Sequence, residues 1–304
     1  MRAFGQAAGT AGPPGSDRGS PTVTRRRWLE QAGRALRGTE ASRRTAELLL
    51  CAVLDTTRVA LIAHPDREVP PEAEERLAEL LARRLAGEPL AYLLGWREFY
   101  GRSFEVDAAT LIPRPETEHL VDEALARLPE RTVHFADLGT GSGCLAVTLA
   151  AERPFWKGVA VDISEHALET ARRNAERLDA ADRLTFVCAD FTRPGFWDAG
   201  DAGLHLVVSN PPYVGEAEYA ALDPGVRDYE PKTALVPGPT GLEHPRAVVE
   251  AAWHILRPGG LLLMEHGATQ GEAVRALCPP ERWQDVETGR DLAGLDRYLA
   301  AVHR

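Results

Sequence analysis

The run Asn210-Pro211-Pro212-Tyr213 places a carboxamide, two prolines and an aromatic ring in four consecutive residues. The prolines have fixed φ angles and no N–H groups, so this turn is stiff. The Asn210 side-chain oxygen and a nearby backbone carbonyl can each accept one hydrogen from an NH₂ group, while Tyr213 offers a packing surface for a planar group. Such a grip would orient an amide or aryl-amine nitrogen toward an electrophile. The alternative is a strand-ending turn whose tyrosine packs into the core.

A second group of residues is suited to a nucleoside. The segment VHFADLGTGSG predicts a strand that ends at Asp137, a glycine turn, and a helix that begins near Cys144. Glycines let the backbone turn tightly and let a ligand approach closely. Asp162 ends the next predicted strand, roughly 20 residues on, where a carboxylate accepts hydrogen bonds from ribose hydroxyls. The alternative is a tight strand-to-helix turn without a ligand, but the whole combination favours a nucleoside.

The spacing of this loop narrows the choice of nucleoside. It reads GxGxG followed by Cys144, which differs from the GxGxxG of dinucleotide sites. The dinucleotide alternative is weakened and stays open. No GxxxxGK[ST] phosphate loop is present, so ATP and GTP are not expected.

The elements that must position these residues alternate between strands and helices after Pro113, which predicts a mostly parallel α/β sheet covered on both faces. Two late segments, near Trp283–Thr288 and Arg297–Val302, are predicted to form an antiparallel edge. The predicted strands are Val133–Asp137, Val159–Ile163, Leu184–Cys188, Leu204–Ser209 and Leu261–Glu265. The predicted helices are Glu118–Ala126, Cys144–Ala151, Glu165–Leu178, Pro245–Leu256 and Gln270–Leu277.

The first part of the chain differs in character. Residues 1–24 are rich in Gly, Pro, Ala and Ser, which predicts a disordered tail. Residues 25–89 show helical periodicity and predict a small helical domain, with a second helix after Pro70 and Pro71 and with Gly87 as its C-cap. Residues 90–112 are rich in β-formers broken by Gly95 and Gly101, which predicts a β-hairpin linker. The predicted apolar faces consist of Leu48, Leu49 and Ala52, and of Leu77, Leu80, Leu81 and Leu85.

Composition excludes several classes of protein. The length of 304 residues suggests about two domains, and 44% hydrophobic residues are ample for a core. No apolar run approaches the roughly 18 residues that span a bilayer, and no apolar stretch follows Arg2, so neither a membrane protein nor a secretory signal is expected. The net charge of −10 argues against broad adhesion to nucleic acid.

The metal-binding residue types are scattered. Cys51, Cys144, Cys188 and Cys278 form no CxxC pair, and the nine histidines do not cluster. We therefore expect no disulfide framework and no metal site. Reduced thiols in a cytoplasmic protein are the natural interpretation.

Taken together, DLGTGSG, VDIS, CADF and SNPPY resemble the class I S-adenosylmethionine methyltransferases, specifically those that act on planar NH₂ groups. The resemblance implies a Rossmann-like sheet, S-adenosyl-L-methionine as cofactor and S-adenosyl-L-homocysteine as product. It places Asp162 on the ribose, Asp190 and Phe191 beside the adenine, and Asn210 between the cofactor and the substrate. It implies that the cofactor loop consists of Gly139, Thr140, Gly141, Ser142 and Gly143.

The resemblance narrows over residues 30–304 to the protein-(glutamine-N5) methyltransferases, which methylate the glutamine of the Gly-Gly-Gln motif in class I peptide chain release factors. The segments that carry it are Tyr92–Leu125 with PRPETE, Tyr229–Leu235, Leu256–Gln270 and GRDLAGLDRYL. The methyltransferase domain then covers residues 113–304, and the helical domain recognises the body of the release factor. Asn210, Pro211 and Tyr213 would be catalytic, and Asn210 with the Pro211 carbonyl would hold the substrate NH₂.

Other residues near these motifs allow two interpretations. By resemblance, Arg114 and Glu116 border the substrate cleft together with Pro212, and the alternative is an interdomain ion pair on a turn. Glu265 ends the fifth predicted strand at the cleft-facing edge of the sheet, and its two interpretations are a functional role and a cap of the following turn, of which we favour the cap.

Three other functions compete with release factor methylation. They are glutamine methylation of a ribosomal protein, methylation of an adenine or guanine amino group, and non-enzymatic cofactor binding or assembly. The acidic charge and the lack of a target-reading insertion speak against a nucleic acid substrate, and the intact NPPY run speaks against a non-enzymatic role.

Overall fold

The structure is a computed structural model that describes residues 23–38, 42–197 and 203–304. Within these ranges, no helix combines the length and the apolar character needed to cross a membrane. The chain divides into two compact units, Met1–Leu85 and Ala86–Arg304. The predicted disordered tail lies outside the described residues except for Val23 and Thr24, and Thr24 pairs with Glu68 in an isolated β-bridge.

The described part of the first unit is helical. The Thr24 side chain caps the first helix by accepting the Arg27 N–H, and Pro71 begins the fourth, where its missing N–H leaves no bond unmade. Trp28 and Leu77 are among the buried side chains of this unit. Its helices are α1 (Arg25–Ala35), α2 (Ser42–Val53), α3 (Arg58–Ala63) and α4 (Pro71–Leu85).

The predicted faces of α2 and α4 are partly wrong. Ala52 is exposed and Leu48 is only half-buried, whereas Ala46, Leu49 and Leu50 are buried. Because α2 contacts both α1 and α4, its buried stripe is wider than an isolated amphipathic pattern predicts, and it is rotated around the helix. Leu85, the last residue of α4, is exposed.

The second unit is an α/β fold. Its strands are β1 (Trp96–Phe99), β2 (Arg102–Glu105), β3 (Val133–Leu138), β4 (Trp156–Asp162), β5 (Leu184–Cys188), β6 (Leu204–Ser209), β7 (Leu256–Glu265), β8 (Trp283–Arg290) and β9 (Asp296–His303). Its α-helices are α5 (Leu90–Leu94), α6 (Glu118–Arg127), α7 (Cys144–Glu152), α8 (Glu165–Arg177), α9 (Glu216–Tyr219), α10 (Pro224–Arg227), α11 (Glu243–Ile255) and α12 (Gly271–Arg275). Short 3₁₀-helices cover Pro115–Thr117, Ala181–Arg183 and Lys232–Ala234.

Seven strands of the described residues form one sheet in the order β5-β4-β3-β6-β7-β9-β8. Strands β3 to β7 are parallel, and β9 runs antiparallel to both β7 and β8. This confirms the predicted mostly parallel sheet with an antiparallel edge. The chain moves outward from β3 to β5 and then returns to the other side of β3 as β6. The strand order therefore reverses between β3 and β6, the place where open α/β sheets bind ligands.

Where the observed limits of the second predicted strand differ from the predicted ones, the burial of its residues explains the difference. Leu184–Cys188 and Leu204–Ser209 are strands as predicted. The strand predicted at Val159–Ile163 begins earlier, at the buried Trp156, and ends at Asp162, because Ile163 lies beyond the sheet and is exposed. The helix predicted at Gln270–Leu277 is shorter, at Gly271–Arg275.

The hairpin predicted as a linker is part of the second unit. Phe99 and Phe104, from β1 and β2, are fully buried in the main core beside the sheet. Tyr92, predicted as a β-former, instead lies in α5, and its hydroxyl donates to the Thr110 carbonyl at 2.7 Å. This short helix ends at Gly95, whose left-handed φ forms the C-cap before the hairpin begins.

Asn174, buried on α8, joins the hairpin to the glycine loop. Its Nδ2 donates to the carbonyls of Glu105 and Ser142, both at 2.9 Å, and its Oδ1 accepts the Glu105 N–H at 2.7 Å.

Asn174→Ala leaves these buried backbone groups without partners, so we expect the free energy of unfolding to fall by roughly 2–4 kcal/mol. Urea unfolding followed by circular dichroism measures this loss. Glu176→Ala, at an exposed position of the same helix, is the control, and equal unfolding midpoints for the two variants would contradict the prediction.

Candidate active site

A cavity opens at the carboxyl ends of the central parallel strands of the second unit. One wall comes from the loop after β3 (Gly139–Ser142), and the next from Asp162, at the end of β4. Phe191, after β5, and Asn210, after β6, also line it. We call residues 210–213, which follow β6, the NPPY corner. Because β3 and β6 are hydrogen-bonded neighbours, the glycine loop and the NPPY corner lie side by side where the strand order reverses. The topology thus brings together the two motifs that the sequence singled out.

The glycine loop is tied to both neighbouring strands. The N–H groups of Gly139 and Thr140 both donate to the Val161 carbonyl at 2.9 Å. The Thr140 hydroxyl donates to Asp137 Oδ2 at 2.7 Å, and the Ala146 N–H donates to the same oxygen at 3.2 Å. Asp137 is fully buried, and burial raises its pKa to about 7. The loop is therefore held in shape by hydrogen bonds to β3 and to β4.

Gly143 is required by close packing. Its φ is +79°, a left-handed value, and a Cβ there would lie 3.0 Å from the Ala171 Cβ on α8. A side chain at this position would therefore strain the backbone and push α7 and α8 apart. Of the predicted loop residues, Gly143 shapes the turn and does not line the cavity, whereas Gly139, Thr140, Gly141 and Ser142 do.

Asp162 faces the cavity and also holds the loop. Its Oδ2 accepts the Gly141 N–H and its Oδ1 accepts the Ser164 N–H, each at 2.9 Å. Burial raises the pKa of this carboxyl group, while the backbone donors lower it. Each carboxylate oxygen keeps a second lone pair, so the group can still accept hydrogen bonds from ribose hydroxyls.

The two residues predicted beside the adenine differ in their surroundings. Phe191 lines the cavity. The Asp190 carboxylate is engaged locally: Oδ1 accepts from the Thr192 N–H and hydroxyl, and Oδ2 accepts from Arg193 Nε at 3.0 Å. Asp190 is not among the residues that line the cavity.

His244 lines the same wall and was missed by the sequence analysis. Its ring lies 5.6 Å from the ring of Phe191. Its Nδ1 is buried without a hydrogen-bond partner among the described residues. Burial lowers the His244 pKa, so the neutral imidazole is favoured. An unpartnered ring nitrogen beside an aromatic face fits a planar, hydrogen-bonding base, and this observation supports a nucleoside occupant.

The NPPY corner is anchored from below by buried polar groups. Asn210 Nδ2 donates to the Thr117 hydroxyl at 3.1 Å, and the Thr117 hydroxyl donates to Glu265 Oε2 at 2.6 Å. The Tyr213 hydroxyl donates to Glu265 Oε1 at 3.1 Å. The prediction that Glu265 caps a turn is wrong, because both of its oxygens accept from side chains of other segments.

A glycine and a glutamine hold the outer side of the corner. Gln270 Nε2 donates to the Tyr213 carbonyl at 2.9 Å. Gly241 has a φ of +78°, and a Cβ there would lie 2.4 Å from the same carbonyl oxygen, so a side chain would displace the corner. The Val214 N–H donates to the Leu235 carbonyl at 2.9 Å, which joins the corner to the segment YEPKTAL.

A second, smaller cavity adjoins the corner. Asn210, Pro211 and Tyr213 line it together with Arg114, while Pro212 faces the first cavity. Asn210 therefore lies on the walls of both cavities. Its carboxamide is placed between the nucleoside-type cavity and a pocket lined by Pro211, Tyr213 and Arg114.

Arg114 and Glu116, predicted at the cleft, do not pair with each other. Arg114 Nη2 forms an ion pair with Glu230 Oε1 at 2.6 Å, and Glu230 Oε2 accepts the Ile112 N–H at 3.1 Å. The ion pair lies within the second unit and is not interdomain. Glu116, in the 3₁₀-helix, lines neither cavity, but its charge acts on Glu265.

Comparison with known proteins places the fold in a class. Residues 27–95 match the family described as the PrmC N-terminal domain, and residues 117–222 match the methyltransferase small domain. A methyltransferase of known structure from Pyrococcus furiosus has 19% identity and a TM-score of 0.48, covering 74% of this chain and 98% of that one. The mostly parallel sheet and the two family matches define the class as a Rossmann-like methyltransferase.

Close relatives make the assignment specific. A release factor glutamine methyltransferase of Nitratidesulfovibrio vulgaris is 50% identical over 264 residues, or 86% of this chain and 88% of the relative. The enzyme of the same name from Salmonella typhimurium is 42% identical over 273 residues, or 89% of this chain and 95% of the relative. The chain belongs to the family of release factor glutamine methyltransferases.

Proposed function

We propose that this enzyme transfers a methyl group from S-adenosyl-L-methionine to the side-chain amide nitrogen of the glutamine in the Gly-Gly-Gln motif of class I peptide chain release factors. The observation that carries the proposal is the position of Asn210 on the walls of both cavities. The chain's membership of the release factor glutamine methyltransferase family supports the same activity. The four cysteines are free thiols in the structure, which agrees with a cytoplasmic enzyme.

The residues of the larger cavity fit the cofactor. Asp162 would accept from the ribose hydroxyls, Phe191 and His244 would border the adenine, and the loop from Gly139 to Ser142 would support the remainder. When bound, S-adenosyl-L-methionine supplies a methyl group on a cationic sulfur. Asp190 would act more indirectly, because its carboxylate is already occupied by Thr192 and Arg193.

The corner residues act on the glutamine. The lone pair of an amide nitrogen is delocalised into the carbonyl, so the nitrogen is a poor nucleophile unless it is oriented. Asn210 Oδ1 and the Pro211 carbonyl each accept one hydrogen of the substrate NH₂, and Tyr213 packs against the planar amide. These acceptors also stabilise the positive charge that develops on nitrogen. No strong base is needed, because the methylated nitrogen gives its extra proton readily to water.

The proposed reaction is tested directly with a release factor. The purified full chain, a Gly-Gly-Gln release factor and methyl-labelled cofactor are incubated, and peptides are analysed by mass spectrometry. We expect one methyl group on the motif glutamine and none on a release factor whose motif glutamine is replaced by glutamate. Methylation of a ribosomal protein glutamine, with none on the release factor, would contradict the proposal.

We further propose that the helical first unit recognises the body of the release factor. It carries a groove lined by arginines, among them Arg34, Arg37 and Arg58, and by the glutamates Glu30 and Glu47, with the exposed Ile62 beside them. Glu47 pairs with Arg58, and the arginines of the groove outnumber its glutamates, so the groove carries an excess of positive charge. Positive side chains around an apolar contact suit an acidic protein surface.

Arg37→Glu is expected to raise the KM for the release factor about fivefold, more at low salt, without changing kcat. Steady-state kinetics at two salt concentrations measure this; an unchanged KM would contradict it, and Arg76→Glu on α4, outside this groove, is the control.

A further inference from the structure

Glu265 is a buried acid that this mechanism leaves unused. It lies at the end of β7, is 2% exposed, and is reached by two hydroxyl groups, those of Thr117 and Tyr213. Thr117 is 1% exposed and touches Asn210 on its other side. A carboxylate, a hydroxyl and a carboxamide thus form a continuous hydrogen-bonded chain from the core to the cavity wall.

The direction of the hydrogen bonds in this chain follows from proton counting. An ionised carboxylate carries no proton and can only accept, so the hydroxyls of Thr117 and Tyr213 must both donate to Glu265. A hydroxyl has one proton to donate. Once Thr117 gives it to Glu265, the Thr117 oxygen can only accept from Asn210. The carboxamide must then turn its NH₂ group toward Thr117, which leaves its oxygen for the substrate.

The opposite direction is equally well defined. A protonated Glu265 can donate to the Thr117 oxygen, and the Thr117 proton is then free to bond Asn210 Oδ1. The carboxamide would rotate and present its NH₂ group to the substrate. Two NH₂ groups facing each other cannot hydrogen-bond, so the grip would be lost.

We propose that Glu265 is a positioning residue that acts through Thr117 to set which end of the Asn210 carboxamide faces the substrate amide. This inference rests on the proposed function, since it assumes that Asn210 must present an acceptor. Burying a carboxyl group costs free energy that an apolar residue would not cost. The positioning role explains why the core strand β7 ends in an acid.

The surroundings of Glu265 set the pH range in which the hydrogen bonds from Glu265 through Thr117 to Asn210 can reverse their direction. Burial raises its pKa to about 7, opposed by its two hydroxyl donors and by the positive charge of Arg297 on β9, and reinforced by the negative charge of Glu116. Cys144, at the start of α7, also senses the charge of Glu265. The carboxylate form dominates above its pKa, so kcat should rise as the pH increases through about 7.

Glu265→Gln removes the charge and keeps the shape. Its amide can donate to Thr117 and so permits the reversed direction at every pH. We expect kcat at saturating substrates to fall about 10- to 100-fold, with the cofactor Kd unchanged and the rise of kcat near pH 7 abolished. Combined with Asn210→Ala, the substitution should cause no further loss, because both act on one grip. Glu272→Gln, an exposed residue of α12, is the matched control.

Thr117 provides the independent test. Thr117→Val removes the hydroxyl at nearly constant volume and should lower kcat by a similar factor, whereas Thr117→Ser keeps the hydroxyl and should stay within about threefold of the unmodified enzyme. This pair decides the matter if Glu265→Gln does not fold. A purely structural role for Glu265 would lower the melting temperature but leave the pH profile in place.

The outcomes separate the two proposals. If the unmodified enzyme methylates no release factor, the proposed function fails. If it is active but Glu265→Gln or Thr117→Val retains full kcat, or if Glu265→Gln keeps the rise near pH 7, only the positioning role of Glu265 is overturned.

Discussion

Replacement of Asn210 by alanine is expected to lower the rate of glutamine methylation by about 10³-fold, the range seen when one preorganised transition-state contact is removed. The side chain bonds Thr117 and is the polar one among the residues that line both cavities, so in the proposed function it meets substrate and cofactor together. Without its oxygen, the substrate nitrogen loses one of its two acceptors and its orientation. Methyl transfer to the release factor is measured under saturating conditions, and cofactor binding is measured by calorimetry.

The cofactor measurement makes this prediction specific. The loop after β3 and Asp162 are held by their own backbone bonds, none of which involves Asn210. The cofactor Kd of Asn210→Ala should therefore stay within about threefold of the unmodified enzyme. A loss of turnover matched by an equal loss of cofactor affinity would mean that Asn210 serves the cofactor cavity and not the substrate amide. Glu272→Ala, exposed on α12, controls for handling of the protein.

The positions of the main site residues were predictable because they directly follow buried strands. Asp162 ends β4 and Asn210 follows β6, while Asp137 is the residue before the end of β3, and parallel strands bring their carboxyl ends to one edge of the sheet. The alternation of strands and helices, which predicts a parallel sheet, is therefore enough to put the glycine loop and the NPPY corner at the same edge of the sheet. No side-chain contact had to be known for this inference.

The contacts that orient these residues were not predictable by the same means. Thr117 and Asn210 are 93 positions apart, and Thr117 and Glu265 are 148 apart. Periodicity and turn chemistry report only on neighbours within a few residues, so a strand-ending glutamate was interpreted as a local cap. Arg114 is a similar case, because its partner Glu230 is 116 positions away.

The helical unit shows a different limit. The stripe on α2 was assigned to Leu48, Leu49 and Ala52, yet Ala52 is exposed. A helix that packs against two neighbours buries a wide sector, and the sequence of one helix does not indicate where its neighbours lie. The type of element was therefore predictable where its buried face was not.

Asp162→Asn is expected to weaken cofactor binding about 10²-fold, since it removes charge-assisted hydrogen bonds worth a few kcal/mol in all. The carboxylate accepts from the N–H groups of Gly141 and Ser164 and keeps lone pairs for the ribose. An asparagine replaces one oxygen by an NH₂ group, which must face one of these N–H donors. The glycine loop then loses an anchor and the ribose loses an acceptor. The Kd for S-adenosyl-L-homocysteine, measured by calorimetry, reports both losses.

Asp190, the acid after β5, provides the comparison for the Asp162→Asn prediction. Asp190→Asn should weaken cofactor binding by less than about fivefold, because the Asp190 carboxylate bonds Thr192 and Arg193 and does not line the cavity. At saturating cofactor, Asp162→Asn should recover most of the kcat, since the substrate corner is held by Thr117 and Gln270. Equal losses for the two variants would mean that the acid after β5 reaches the cofactor as directly as the acid after β4. The cavity would then have to extend past Phe191 when the cofactor binds.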